Sequence, residues 1–128
     1  MLAVKYKWGN FGHPEGMYSP DELRFGIHGV DVETSLMLAF QPHCVDMDAP
    51  IDFKSSAANT TKASAIPPTG PISRGWIAAD LNEAGTVGNA AAATREKGEA
   101  TADHQVAGFI EMLKDVRNAT LSSAPASL

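Results

Sequence analysis

Alternating strand-like and helix-like patterns along the 128 residues predict an α/β layered domain with a mostly parallel sheet. Three observations support this fold class: an apolar–polar alternation at the start of the chain, two helix-start signatures, and a long helical periodicity near its end. An apolar content of 44% is enough to build a core. Neither a repeat nor a change in composition divides the chain, so the sequence predicts one domain.

The first predicted elements are a strand, a loop and a short helix. Residues 2–8 alternate apolar and polar side chains, which predicts a strand, and the glycine-rich residues 9–18 predict a loop. Ser19 is the expected N-cap of a helix, because a proline follows in the first turn and Glu22 stands three residues after the cap. Gly26 is expected to end this helix.

The main helix is predicted over residues 32–40, where an apolar run starts after two acidic residues and stops near Pro42. The segments after it are less regular. In chain order they are a weak strand over residues 45–49, a polar stretch over 51–66 with little periodicity, a stiff connector over 67–71, a short strand over 76–79 and a loop over 80–89.

The last helix is the clearest element of the sequence. Its apolar side chains recur at helical spacing and are expected to form one buried stripe: Ala100, Val106, Phe109, Ile110, Leu113 and Val116. Acidic residues near its start and basic residues near its end complement the helix dipole. Gly98 and Gly108 weaken the helix in isolation, so packing against the rest of the chain must hold it.

The charge balance and the single cysteine exclude several classes of function. A net charge of −5 leaves no basic patch to neutralise phosphates, so a nucleic-acid partner is not expected. Cys44 has no partner for an internal disulfide and fits a reducing compartment. No segment approaches the roughly 20 apolar residues of a membrane span, and the first residues lack the features of a signal peptide. The sequence therefore predicts a cytoplasmic protein without a membrane partner.

The residues that could carry chemistry are concentrated in one stretch. His28 and two acidic residues, Asp31 and Glu33, stand just before the apolar run of the main helix. Ionisable groups at the mouth of a buried helix need partners, a metal or a substrate. Gly29, beside the histidine, leaves room for a ligand or another backbone to approach. Any chemistry is therefore expected here.

Two parts of this sequence resemble the second half of creatininase-family amidohydrolases. Residues 28–39 read His-Gly-x-x-x-Glu-Thr-Ser-Leu-Met-Leu-Ala, close to the family's His-(Ala/Gly)-Gly-x-x-Glu-Thr-Ser followed by a helix. Residues 85–89 and 93–99 read Gly-Thr-Val-Gly-Asn and Ala-Thr-Arg-Glu-Lys-Gly-Glu, which resemble the family's glycine turn and the helix start after it. On this resemblance, residues 1–118 are the C-terminal part of a creatininase-like domain. The residues after them, 119–128, are mostly small and polar and are predicted to be a disordered tail.

The resemblance implies a fold, an activity and a cofactor. Family members are layered α/β/α sandwiches that assemble into oligomers, so a homo-oligomer is expected for the full-length protein. They hydrolyse a cyclic or linear amide C–N bond of a small molecule with a water activated by a divalent metal (zinc, manganese or iron). The family binds its metals mainly through a Glu-x-His pair and an Asn-Gly-His loop in its first half, which this sequence lacks. The chain therefore reads as a fragment that is not expected to hold the metal alone.

The resemblance also implies roles for three residues. His28 and Glu33 are the implied catalytic residues, because the family's matching histidine acts next to the metal-bound water and its glutamate holds or assists that histidine. An imidazole can take a proton from water and give it to a leaving amine near neutral pH. A histidine that only caps or packs at a helix start is the competing interpretation. Asp31 is a candidate metal ligand, and an N-cap role for the main helix accounts for it equally well.

Three further residues are candidates for contacts with substrate. His13 and Glu15 lie in a glycine-bounded loop that corresponds to a substrate-closing loop of the family, and a solvated loop is the alternative. Arg24 stands where creatininase has a tryptophan, which argues against creatinine as substrate and leaves open an anionic substrate or a surface ion pair. The remaining candidates are assigned to packing or to the surface: His43, Cys44, Trp76 and His104.

Two other functions compete with that of an amidohydrolase. One is a non-catalytic remnant or subunit that docks on a full-length relative, which the absent metal-binding half suggests. The other is a small binding domain unrelated to the family, against which the two ordered blocks argue.

Overall fold

A computed structural model describes residues 3–49 and 52–119 of the chain. Within them lie four α-helices: α1 (Pro20–Phe25), α2 (Asp31–Phe40), α3 (Ala57–Ala63) and α4 (Arg95–Asn118). Two strands, β1 (Asp52–Phe53) and β2 (Gly88–Asn89), pair antiparallel with Asp52 opposite Asn89. Short 3₁₀ helices connect these elements at Trp8–Phe11, Pro42–Cys44, Ala78–Asp80 and Ala90–Ala92.

The structure confirms the predictions for α1 and α2. Ser19 caps α1, because its hydroxyl oxygen accepts the Glu22 N–H at 3.1 Å, and Gly26 ends the helix. α2 begins one residue earlier than predicted, at Asp31, and ends before Pro42. The Glu22 side chain, however, does not complete a capping box, because its oxygens accept hydrogen bonds from other elements.

The three predicted strands are wrong. Residues 3–7 have no regular structure and lead into a 3₁₀ helix, while residue 2 lies outside the described residues. Residues 45–49 follow a second 3₁₀ helix and residues 76–79 run into a third. An apolar or alternating segment becomes a strand only where a neighbour pairs with its backbone. Residues 51–66, predicted to be a polar stretch with little periodicity, contain β1 and α3.

The predicted layered sandwich with a mostly parallel sheet is not confirmed. The sheet formed by the described residues has two strands, and these are antiparallel. Helices dominate the packing instead, with α2 lying against α4.

The predicted last helix is confirmed as α4, but its predicted buried stripe is wrong. The residues that α4 buries are small or polar: Gly98, Thr101 and Gln105. Three members of the apolar stripe, Val106, Ile110 and Leu113, are 45%, 45% and 48% exposed. α4 turns its small and polar face inward because α2 and the loop before α1 approach it there. No helix in the described part of the chain is long and apolar enough to cross a membrane.

Two packed regions hold the segment between α1 and α2. On one side, Gly98 lets α4 approach α2 so closely that a Cβ at this position would lie 2.9 Å from the Ala39 Cβ, which agrees with the prediction that packing holds this helix. On the other side, a small apolar core forms from Ala57, Leu81 and Val87, flanked by Phe25, Ile27 and Trp76. The connecting segment, residues 26–30, is therefore anchored at both ends.

Candidate active site

His28 lies in the connecting segment, and residues just before β2 fix its backbone. Its carbonyl oxygen accepts the Val87 N–H at 2.9 Å and the Thr86 hydroxyl at 2.8 Å. The N–H groups of Ile27 and His28 donate to the Val87 carbonyl oxygen at 2.8 and 3.3 Å. The residue as a whole stays exposed. The main chain is thus held while the side chain remains accessible to a substrate.

Glu33, in the first turn of α2, fixes the peptide that follows His28. Its Oε2 accepts the Gly29 N–H at 2.9 Å. Gly29 has a φ of +66°, and a Cβ there would collide with the Thr86 hydroxyl, so glycine is required at this position. The close approach expected at Gly29 is therefore made by a side chain. Glu33 is therefore bonded to the residue that follows His28, and no described hydrogen bond joins the two side chains directly.

A cavity of about 430 Å³ opens beside Glu33. Part of its wall is apolar, formed by Met37, Val45 and Phe53. Cys44, predicted to be structural, also lines this cavity and is exposed. The volume is that of a typical small-molecule site.

Asp31 is buried, and both of its carboxylate oxygens are bonded within the protein. Its Oδ2 lies 2.6 Å from the Lys97 ammonium, and its Oδ1 accepts the Ser35 hydroxyl at 3.0 Å. Lys97 also donates to the Ala92 carbonyl oxygen at 2.8 Å. Val30 is the N-cap of α2, so the N-cap interpretation of Asp31 is wrong. Its role as a metal ligand stays a prediction, one that requires this ion pair to open.

Lys97 and Glu22 are the site residues that sequence reasoning did not assign. Lys97 stands 66 residues from its ion-pair partner, and its only local signal in the sequence is its place in the block of residues 93–99. The local spacing of Glu22 predicts a capping residue. In the structure, its carboxylate instead accepts backbone N–H groups of α2 and β2.

His13 is half-buried in the loop before α1. Its ring meets the Tyr18 ring edge-on, with 5.3 Å between centroids, and the Tyr18 hydroxyl lies 2.7 Å from the Thr101 hydroxyl of α4. The His13 Nδ1 is buried and has no hydrogen-bond partner in the described structure. No described hydrogen bond or ring contact joins His13 to His28 or Glu33, so its role in a substrate loop stays a prediction.

Mild acid should destabilise the protein through His13. Burial and, to a smaller extent, the nearby His104 lower the pKa of His13 below its ordinary value of 6.5. The unfolded chain therefore binds a proton first, and the contribution of His13 to stability, complete above pH 6.5, is lost as the pH falls through the lower folded-state pKa. We expect the melting temperature to fall more in wild type than in His13→Asn between about pH 7.5 and about pH 5.

The control for this pH effect is His43→Asn, which removes an exposed histidine. Its melting temperature should follow that of the wild type at every pH. Identical pH profiles for His13→Asn and wild type would contradict the assignment.

Glu15 and Arg24 lie on the surface. Glu15 is exposed, and Arg24 lines a second cavity, of about 540 Å³, together with the loop of residues 65–72. No described hydrogen bond or ion pair joins either residue to the catalytic candidates, so both assignments stay predictions. Trp76 packs as predicted, and its indole N–H donates to the Pro68 carbonyl oxygen at 2.6 Å.

The donor atoms in the described ranges do not fit a metal centre. No group of three or more histidine, cysteine, aspartate or glutamate side chains there is placed to hold an ion. At the site, three potential ligand groups form no described hydrogen bond: the His28 imidazole, the second oxygen of Glu33 and the Cys44 thiol. A catalytic zinc usually takes three protein ligands, but these groups are not placed together around one point. The described residues therefore do not form such a metal site by themselves.

Several solved structures are similar to this chain. A protein from Bacteroides fragilis NCTC 9343, described as a candidate creatinine amidohydrolase, aligns with a TM-score of 0.64 and 24% identity over 92% of this chain and 44% of its own, which shows the fold alone. A mutant creatininase complexed with creatine aligns with a TM-score of 0.58 and 25% identity, over 87% of this chain and 42% of its own. A manganese form of creatininase aligns with a TM-score of 0.58 and 26% identity, over 87% of this chain and 41% of its own. The chain thus spans less than half the length of these structures.

These neighbours define the class of protein as α/β, with creatinine-amidohydrolase-like architecture. A family model described as creatinine amidohydrolase matches residues 1–113. The chain therefore belongs to the creatininase family, as its two sequence blocks predict. The comparison with curated proteins gives no significant match.

Proposed function

We propose that this chain supplies the proton-transferring loop of a metal-dependent amidohydrolase, which cleaves the C–N bond of a cyclic or linear amide. Family membership supports the reaction class. The observation that carries the proposal is the hydrogen bond from the Gly29 N–H to Glu33 Oε2 at 2.9 Å. This bond links the peptide beside His28 to a carboxylate that lines a cavity of small-molecule size.

His28 is the group that moves the proton in this proposal. The oxygen of a water attacks the amide carbonyl carbon, and the imidazole accepts a proton from that water. When the C–N bond breaks, the imidazole gives the proton to the leaving nitrogen and returns to its neutral form. Glu33 holds the peptide after His28 through its bond to the Gly29 N–H.

The metal belongs to the complete enzyme in this proposal. Similar structures include manganese and zinc forms of creatininase, and a divalent metal supplies Lewis-acid polarisation of the carbonyl when bound. Because the described residues do not form a metal site by themselves, we assign no step of this chain to the metal. A small-molecule amide substrate, a homo-oligomeric enzyme and a cytoplasmic location form the rest of the proposal.

Removing the imidazole tests the proposed function. The chain is mixed with a polypeptide that supplies the creatininase segment it does not cover, in the presence of manganese or zinc, and hydrolysis of creatinine and of small formamides is measured. His28→Ala should lower kcat/KM by about 100-fold or more. His43→Ala is the control, since it removes another exposed histidine and should leave the rate unchanged. Full activity in His28→Ala would contradict the proposed proton-transfer role of His28.

A non-catalytic subunit is the second candidate function, and the exposed stripe of α4 favours it. Val106, Ile110 and Leu113 each expose nearly half of their surface along one helix. Their spacing of four and three residues places them on one face of the helix, and a contiguous exposed apolar patch marks a contact surface. In this role the chain would dock on a full-length creatininase through α4. The His28→Ala assay separates the two functions, because only catalysis needs the imidazole.

A further inference from the structure

The carboxylate of Glu22 joins three elements around the connecting segment. Glu22 lies in α1, and its Oε1 accepts the Asp31 N–H at the start of α2 at 2.6 Å. Both of its oxygens lie 3.1 Å from the Asn89 N–H at the end of β2. The two donors are 9 and 67 residues away in the sequence. One side chain thus links α1, α2 and β2.

A capping role alone does not account for these bonds. The Asp31 N–H is one of the first-turn donors that have no partner inside a helix, and a carboxylate there is favoured by the helix dipole. A charged acceptor makes shorter and stronger hydrogen bonds than a neutral one, in agreement with the 2.6 Å distance. The bonds to Asn89, however, serve a strand and contribute nothing to the start of α2.

The bond from Glu22 to Asp31 holds the two ends of the connecting segment together. Residues 26–30 leave α1 directly after its last turn and enter α2 at Asp31. The turn is tight: a Cβ at Gly26 would lie 2.8 Å from the Val30 Cγ1 and 3.3 Å from the Glu22 Cδ. The segment is therefore closed across its base by one charged hydrogen bond.

The bonds to Asn89 fix the same carboxylate next to the backbone that holds His28. Asn89 is two residues after Val87, and Val87 forms the isolated antiparallel bridge with His28. The base of the connecting segment and the backbone bridge at its centre are thus both tied to one side chain.

We propose that Glu22 is a positioning residue for His28. By tying α1, α2 and β2 together, its carboxylate sets where the connecting segment presents the imidazole relative to the cavity beside Glu33. This inference rests on the proposed function, and Glu22 itself touches no substrate in it. Glutamine at this position keeps the size and one acceptor oxygen but removes the charge and the second acceptor.

The test is amide hydrogen exchange of the full chain, followed by NMR, in Glu22→Gln. The amides of Asp31 and Asn89 should exchange about tenfold faster or more, because they lose a charged acceptor. The amides of Gly29 and Val87 should accelerate as well, and the His28 ring protons should shift, because the segment between them loosens. Amides of α4 should keep their rates. Asp21→Asn is the matched control, since it removes the neighbouring, exposed carboxylate that lines the same cavity as Glu22.

Two outcomes would overturn the inference. Uniform acceleration over the whole chain would make Glu22 a general stability residue. Acceleration confined to Asp31 and Asn89 would make it a local cap that does not reach His28. If Glu22→Gln does not fold, Glu22→Asp, which keeps the charge on a shorter side chain, is measured by the same criteria. Exchange needs no catalysis, so the two tests are independent. Full activity of His28→Ala in the mixed enzyme, together with local loosening in Glu22→Gln, would refute the proposed function and leave the positioning role intact.

Discussion

Replacing Lys97 with methionine should lower the free energy of unfolding by about 3 kcal/mol. The Lys97 ammonium lies 2.6 Å from Oδ2 of Asp31, and the two side chains are 26% and 6% exposed. Without Lys97, the Asp31 carboxylate would be buried with no opposite charge. Breaking a buried pair costs roughly 3–5 kcal/mol, and the lower end applies because Lys97 keeps some contact with solvent.

Urea unfolding measures this loss, and Lys114→Met is the matched control. The ion pair of Lys114 with Glu111 has a similar length, 2.7 Å, but its side chains are 52% and 69% exposed. Its removal should cost about 0–1 kcal/mol. Adding Asp31→Asn to Lys97→Met should recover part of the loss, because the uncompensated charge is then gone. Equal, small losses for both lysines would show that the Asp31 pair is not buried as the structure has it.

The same variant bears on the predicted metal role of Asp31. If Asp31 ligates the metal in an assembled enzyme, Lys97→Met frees its carboxylate and should tighten zinc binding. If Asp31 serves only the contact between α2 and α4, zinc binding should be the same in both proteins. Isothermal titration with zinc distinguishes these results. It is carried out on wild type and on Lys97→Met, each mixed with the polypeptide that supplies the creatininase segment this chain does not cover.

Helices were predictable because their signals are local. Ser19 caps α1 and Pro42 stands just past the end of α2, and each is recognisable from a few neighbouring residues. The length of α4 follows in the same way from its periodicity and from its charged ends. These elements form the part of the fold that local sequence determines.

Strands and the buried face of α4 depend on contacts between distant parts of the chain. The alternation in residues 2–8 does not form a strand in its described part, since nothing pairs with it there. α4 buries a face of small and polar residues instead of the predicted apolar stripe, because α2 packs closely against Gly98 and Thr101 forms a hydrogen bond with Tyr18. Periodicity shows that a helix has an apolar side but not what covers that side.

The candidate site likewise combines contacts that local sequence predicts with contacts that it does not. His28 and Glu33 are five residues apart, so the motif that contains them predicts that they lie together. Their roles remain proposals, but their proximity through Gly29 follows from local sequence. The contacts around them are long-range: Glu22 accepts the Asn89 N–H across 67 residues, and Lys97 pairs with Asp31 across 66. A single sequence offers no local signal for contacts of that separation.

Gly98→Ala should destabilise the protein by about 2 kcal/mol, although alanine is the better helix former. A Cβ at residue 98 would collide with the Ser35 carbonyl oxygen and lie 2.5 Å from the Ser35 carbonyl carbon. Main-chain atoms of α2 cannot swing aside as a side chain can, so the two helices must separate. Overpacking of this kind costs roughly 1–3 kcal/mol, and here we expect about 3, reduced by about 1 kcal/mol of improved helix propensity.

Thermal and urea unfolding show whether Gly98→Ala lowers or raises the free energy of unfolding. The structure requires a loss, whereas a helix free of α2 would gain about 1 kcal/mol from the same substitution. Gly75→Ala is the control, because a Cβ at Gly75 meets nothing within 4 Å, and its effect should stay within about 0.5 kcal/mol. A stabilised Gly98→Ala protein would mean that α2 and α4 do not touch at this point. Since Asp31 and Lys97 lie beside the same contact, helix separation should also weaken their ion pair.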